Sequence, residues 1–76
     1  INVYPNPSRG SITIDLKNLT GDFTLKLSTI TGQIIFLKEL SAQDSFTLND
    51  LPKGILLLSM HDKQNRITGR KLIKIE

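Results

Sequence analysis

Leu51-Pro52-Lys53-Gly54-Ile55-Leu56-Leu57-Leu58-Ser59-Met60, followed after a polar loop by Arg70-Lys71-Leu72-Ile73-Lys74-Ile75, decides the fold class of this chain. Pro52 supplies the fixed φ that position i+1 of a tight turn prefers, and Gly54 suits position i+3. Residues 55–60 are a short continuous apolar run behind that turn, the pattern of a strand buried in a sandwich core. Leu56, Leu57, Leu58 and Met60 are therefore expected in the core. Left uncovered on one face, the same run would be an apolar contact patch. Asp62-Lys63-Gln64-Asn65 then joins it to a second strand as a hairpin.

That second strand carries the charge. Residues 63–76 hold five basic groups against one acidic, a net of +4, while residues 1–62 hold five basic and six acidic, a net of −1. On an ideal strand Ile67, Ile73 and Ile75 share one face with Gly69 and Lys71. Arg66, Thr68, Arg70, Leu72 and Lys74 share the other. Gly69 weakens a strand interior and so marks a candidate bulge.

Upstream the same logic repeats. Tyr4-Pro5-Asn6-Pro7-Ser8-Arg9-Gly10 cannot be helix, because two prolines one residue apart favour extended geometry at Tyr4 and Asn6. Ile12, Ile14 and Leu16 alternate with Ser11, Thr13 and Asp15; Phe23, Leu25 and Leu27 alternate with Thr24, Lys26 and Ser28. Both are half-buried strands of period two. Thr31-Gly32, between Ile30 and Ile34, reads as a two-residue hairpin connection. The strand that follows, residues 34–40, is apolar on both faces at its start. A short strand at residues 45–48 leads through Asn49-Asp50 into the Pro52 turn. No segment has a helical period with capping residues. Six or seven short strands at close intervals predict an all-β fold, a small antiparallel β-sandwich.

Seventy-six residues make a single domain, residues 1–76, near the lower limit for a self-supporting core. With no cysteine, neither disulfides nor a thiolate metal site can reinforce it. No apolar stretch approaches the ~18 residues of a membrane-spanning helix. The chain starts at Ile1 without a charged-then-apolar leader, and is read as the end piece of a longer secreted precursor. A net charge of +3 favours solubility and weak attraction to anionic surfaces only.

Four marks occur in order: Tyr4-Pro5-Asn6-Pro7 with Gly10, the hairpin Gly32 between apolar strands, Leu51-Pro52-Lys53-Gly54-Ile55, and Lys71-Leu72-Ile73-Lys74. Together, across essentially the entire chain, they resemble the type A C-terminal sorting domain of the type IX secretion system of Bacteroidetes. The resemblance implies an Ig-like sandwich of about seven strands at the end of a secreted or cell-surface protein. It implies a protein-transport role: an N-terminal passenger domain is directed from the periplasm across the outer membrane. Its partners would be the outer-membrane secretion machinery and a sortase-like protease that removes the domain afterwards. Residue by residue, Lys71, Leu72, Ile73 and Lys74 would carry recognition. Pro52 and Gly54 would shape the turn, and Tyr4, Pro5, Asn6 and Pro7 the opening segment. The chain departs from the pattern at Leu56, where the family often has an aromatic, and in the Ile75-Glu76 that follow the terminal lysine.

Other chemistry is weakly supported. On physics alone, the basic strand reads as an edge protected by lysines, and such an edge is also open to strand addition by a partner. Residues 4–7 read as a rigid lead-in to the sandwich, and residues 51–54 as a turn. His61, the single histidine, reads as a solvated residue at a strand end. Ser59, His61 and Asp62 could be written as a triad, but strand neighbours alternate in direction and a domain this small has little room for a cleft. Asp44, Asn49, Asp50 and Asp62 match no calcium loop. Asn18-Leu19-Thr20 fits a glycosylation acceptor. Of the aromatics Tyr4, Phe23, Phe36 and Phe46, three fall at expected core positions, against nucleic-acid binding. The expectation is a non-catalytic sorting module, monomeric in isolation and without cofactor. The rival is a small adhesion or carbohydrate-binding sandwich, for which Tyr4 alone is a candidate platform.

Overall fold

A computed structural model describes residues 2–5, 9–16, 21–41 and 45–76. Asn6 and Pro7 of the opening segment, Asp44 and the Asn18-Leu19-Thr20 triplet lie outside the described residues. Among the described residues seven strands follow one another: β1 (Asn2–Tyr4), β2 (Ile12–Asp15), β3 (Asp22–Thr29), β4 (Ile34–Ser41), β5 (Ser45–Leu48), β6 (Gly54–His61) and β7 (Ile67–Ile75). They build two sheets, β1-β2-β5 and β4-β3-β6-β7, antiparallel at every pairing. The all-β sandwich expected from the alternation is the observed fold. β1 is an addition, three residues paired with β2 ahead of Pro5, where the prolines hide any period.

Each strand exists because its apolar residues recur every second position and the two sheets present those rows to each other. Val3, Ile12, Ile14 and Leu16 come from the side of the smaller sheet. Phe23, Leu25, Leu27, Leu40, Leu56, Leu58, Met60, Ile73 and Ile75 come from the larger. Inward pairs such as Leu25↔Met60, Leu27↔Leu58 and Leu56↔Ile73 lock the register of the larger sheet, since a slip of one residue would turn every one of them to solvent. At one side β4 and β5 close the sandwich. Phe36 and Phe46 pack with ring centroids 5.4 Å apart, and the Lys38 ammonium lies 5.4 Å from the Phe46 ring centre.

Four local expectations are corrected. The β3–β4 connection has three residues, not two: Thr29 and Gln33 are joined by a 2.9 Å backbone bond, and the Gly32 N–H donates to the Thr29 carbonyl at 3.0 Å. Gly32, at φ 101, occupies the left-handed position that ends such a loop and that a side chain would strain. Residues 51–54 form an open bend rather than a hydrogen-bonded turn. The Leu51 N–H donates to the Gly10 carbonyl at 2.9 Å, which ties two of the motifs together. In β7, Met60 pairs with Gly69 but His61 with Ile67. Thr68 is therefore the extra residue of a bulge beside Gly69, and it rotates Ile67 onto the outer face, away from Ile73 and Ile75. Finally, Leu57 points outward from β6, opposite Leu72, and is half-buried. A continuous apolar run does not by itself show that both faces are covered.

Candidate functional site

β7 ends the strand order of the larger sheet and pairs along its length with β6. At nine residues it is the longest strand of the fold. Its buried isoleucines hold it in place. Ile73 is 0% exposed, opposite Leu56, and Ile75 is buried opposite Gly54. Fully burying one such side chain is worth about 1.5–3 kcal/mol.

The terminal motif is thus divided by the pleat. Ile73 is an internal anchor. Leu72, 61% exposed, and exposed Lys74 stand together on the outer face, while Lys71 lies half-buried on the inward side opposite Leu58. Lys71 and Lys74 consequently point to opposite faces, and a partner that meets both must reach both faces of the strand.

The other motif residues cluster elsewhere. Gly54 begins β6 at φ 120 with no atom within 4 Å of an added Cβ. Only glycine adopts that backbone without strain. Pairing of Gly54 with Ile75 sets the residues 51–54 bend beside the C-terminal end of β7. Gly10 accepts the Leu51 N–H, and the Ser11 hydroxyl donates to Asn49 Oδ1 at 3.0 Å. Pro52 is exposed, as are Tyr4 and Pro5. Tyr4 closes β1 opposite Thr13, in the smaller sheet.

At the far end of β6 sits a polar corner. Asp62 Oδ1 accepts the backbone N–H groups of Gln64 and Arg66, both at 2.9 Å, and Asp62 Oδ2 meets Arg66 Nε at 2.9 Å. The Arg66 backbone N–H first, then its guanidinium and the Gln64 N–H, hold the Asp62 carboxyl below its ordinary range. Asp22 is lowered too, by the Ser41 hydroxyl and then by Lys63, whose ammonium lies 3.2 Å away. Gly21, Asp22, Asp62, Lys63, Gln64 and Arg66 line an open hollow of about 380 Å³, in which both carboxylates already have cationic partners.

Ser59 and His61, two apart on one strand, do come together, with Oγ to Nε2 at 3.2 Å. Ser59 is 3% exposed, His61 is half-buried and Asp62 is turned to Arg66, so of the triad on paper only the Ser59–His61 pair meets. Asp50 and Asp62 flank opposite ends of β6, too far apart to share a cation at about 3.3 Å per strand residue. Phe23 is buried, and Phe36 and Phe46 spend their faces on each other. No helix among the described residues is long and apolar enough to cross a membrane.

A family model described as the secretion system C-terminal sorting domain matches residues 2–76. No curated protein gives a significant match.

Proposed function

The chain belongs to the family of secretion system C-terminal sorting domains, and from that membership we propose that it acts as a non-catalytic address whose docking element is the terminal motif Lys71-Leu72-Ile73-Lys74 on β7. A type IX sorting domain marks a secreted or cell-surface protein and meets the secretion machinery. On our reading, the N-terminal passenger is carried from the periplasm across the outer membrane while the machinery grips the terminal motif, with Lys71 and Lys74 reached from the two faces of β7. A sortase-like protease then removes the domain. The chain itself makes and breaks no bond.

The match across residues 2–76 carries the reading. Support for the motif comes from β7, where buried Ile73 and Ile75 anchor the strand while Leu72 and Lys74 are exposed to solvent. The test is a periplasmic reporter fused ahead of residues 1–76 in a host with the secretion system. Deleting residues 71–76 would remove two core isoleucines, so address and fold would be lost together. Lys71→Glu with Lys74→Glu leaves both in place. The intact fusion should reach the surface, and the double variant should fall at least tenfold in export with an unchanged melting temperature. Wild-type export by the double variant would exclude these two lysines as the address. An intact fusion that stays in the periplasm would overturn the function. Mass spectrometry of the surface-borne reporter should find these residues missing, the outcome that removal requires.

A further inference from the structure

The outward half of the terminal motif stands beside residues that lie far from it in sequence. Leu72 pairs with Leu57, and Lys74 with Ile55, the residue that ends the mark at residues 51–55. Side chains directly opposite on neighbouring strands have Cβ atoms about 5 Å apart. Ile55 is the next outward residue of β6, about 7 Å beyond Leu57. Ile55 is 47% exposed and Leu72 61%, with Leu57 half-buried beside both. The three make one apolar patch across β6 and β7. Its row continues through small Ser28 of β3 to exposed Ile34 of β4, beside which Leu37 is also exposed. With Ile67, five of the seven large hydrophobic side chains exposed among the described residues stand on this face.

Exposed apolar side chains gathered on one face mark an interaction surface, and none of these five belongs to the core between the sheets. Continuity names the occupant. Leu72 belongs both to the terminal motif and to the patch, so a partner that reaches Leu72 from this face also covers Leu57 and Ile55. We infer that the secretion machinery reads a folded surface here, Leu72 with Ile55, Leu57 and Ile34, through apolar side chains of its own. The inference rests on the docking role proposed for the terminal motif, and adds the neighbours with which that motif is read. Its consequence is that the address exists only once β6 and β7 have paired. An unfolded tail carries the same four residues without Ile55 and Leu57 beside them.

The test is export of the periplasmic reporter fused ahead of residues 1–76, read beside the melting temperature. Threonine is β-branched and suits an exposed strand position, so Ile55→Thr and Ile34→Thr should melt as the parent does. Ile55→Thr should lower export about tenfold or more, the loss expected at the centre of an interface. Ile34→Thr, three strands from β7, should lower it further when the two are combined. Ile55→Val should export as the parent, and so should Thr47→Ala on the outward face of the smaller sheet. Parent-level export by the combined variant would overturn the inference. So would an equal loss in Thr47→Ala, a dimer of the isolated chain that Ile55→Thr dissociates, or binding to phosphatidylglycerol vesicles that Ile55→Thr abolishes. Lys71→Glu with Lys74→Glu leaves Ile55 and Ile34 in place, so a failure of the motif reading and a failure of this one give different results.

Discussion

Gly54 and Asp62 stand at the two ends of β6, and each controls its end through backbone geometry rather than through packing. At Gly54 an added Cβ meets no atom within 4 Å, yet φ is 120. Gly54→Ala should therefore cost only backbone strain, about 1–3 kcal/mol. At roughly 4–8 °C per kcal/mol for a domain of this size, a thermal melt will resolve it; an unchanged melting temperature would show that the bend tolerates a side chain. Asp62 works through charge. Its folded carboxyl lies below the ordinary value of 3.8, chiefly because the Arg66 backbone N–H donates to it, and Asp22 is lowered by the Ser41 hydroxyl. Both groups favour the folded state at pH above 3.8, and that contribution fades as pH falls through their lowered folded values. Melting temperature should drop on acidification below pH 4, and Asp62→Asn should both lower it at pH 7 and flatten the acid slope. An unaltered slope in the variant would place the acid sensitivity elsewhere. Neither role is visible in sequence beyond the residue type: a glycine after proline and an aspartate in a loop are common, and the φ and the three bonds to Asp62 arise only when the chain closes.

Within the element β7, neighbouring residues of one motif have opposite fates, and substitution separates them. Ile73→Ala should cost about 2–5 kcal/mol, the range for emptying a buried isoleucine site, while Leu72→Ala should stay within about 0.5 kcal/mol. Urea unfolding of the two variants measures both; comparable losses would mean that the outer face is covered in the free chain. The alternation of β2, β3 and the end of β7 was legible because each has apolar residues on one parity only. Ile67 was not, since the parity argument assumes an unbroken ladder and the Thr68 bulge inserts one residue between it and Ile73. β4 misleads in the same manner: Leu27 pairs with Phe36 and Ser28 with Ile34, so Ile35 is the added residue, and an apolar run that seems two-faced sends Ile34 outward and Phe36 inward. As to the candidate site, Lys71 through Lys74 could be marked by family pattern, but which of the four is an anchor and which is displayed depends on register with β6.

For the whole molecule, the question is whether two sheets that share no ladder among the described residues unfold as one. The smaller has strands of three, four and four residues, too little paired backbone to persist alone in water. Its Val3, Ile12 and Ile14 are buried against the larger sheet's leucines and isoleucines, so losing either sheet exposes the apolar face of the other. Side-chain burial thus holds the halves together, which argues for a single cooperative transition. The chain contains one tyrosine, Tyr4, and no tryptophan. Because Tyr4 ends β1, its fluorescence reports the smaller sheet, whereas far-UV circular dichroism follows all seven strands. The urea midpoints from the two signals should coincide, and Ile14→Ala in the smaller sheet and Leu27→Ala in the larger should each move both midpoints together, by the equivalent of about 2–5 kcal/mol. A tyrosine transition that precedes the dichroism change would show β1-β2-β5 peeling away first. The larger sheet would then be the persistent unit, and the face that carries Leu57 and Leu72 would outlast the sandwich that now covers its opposite side.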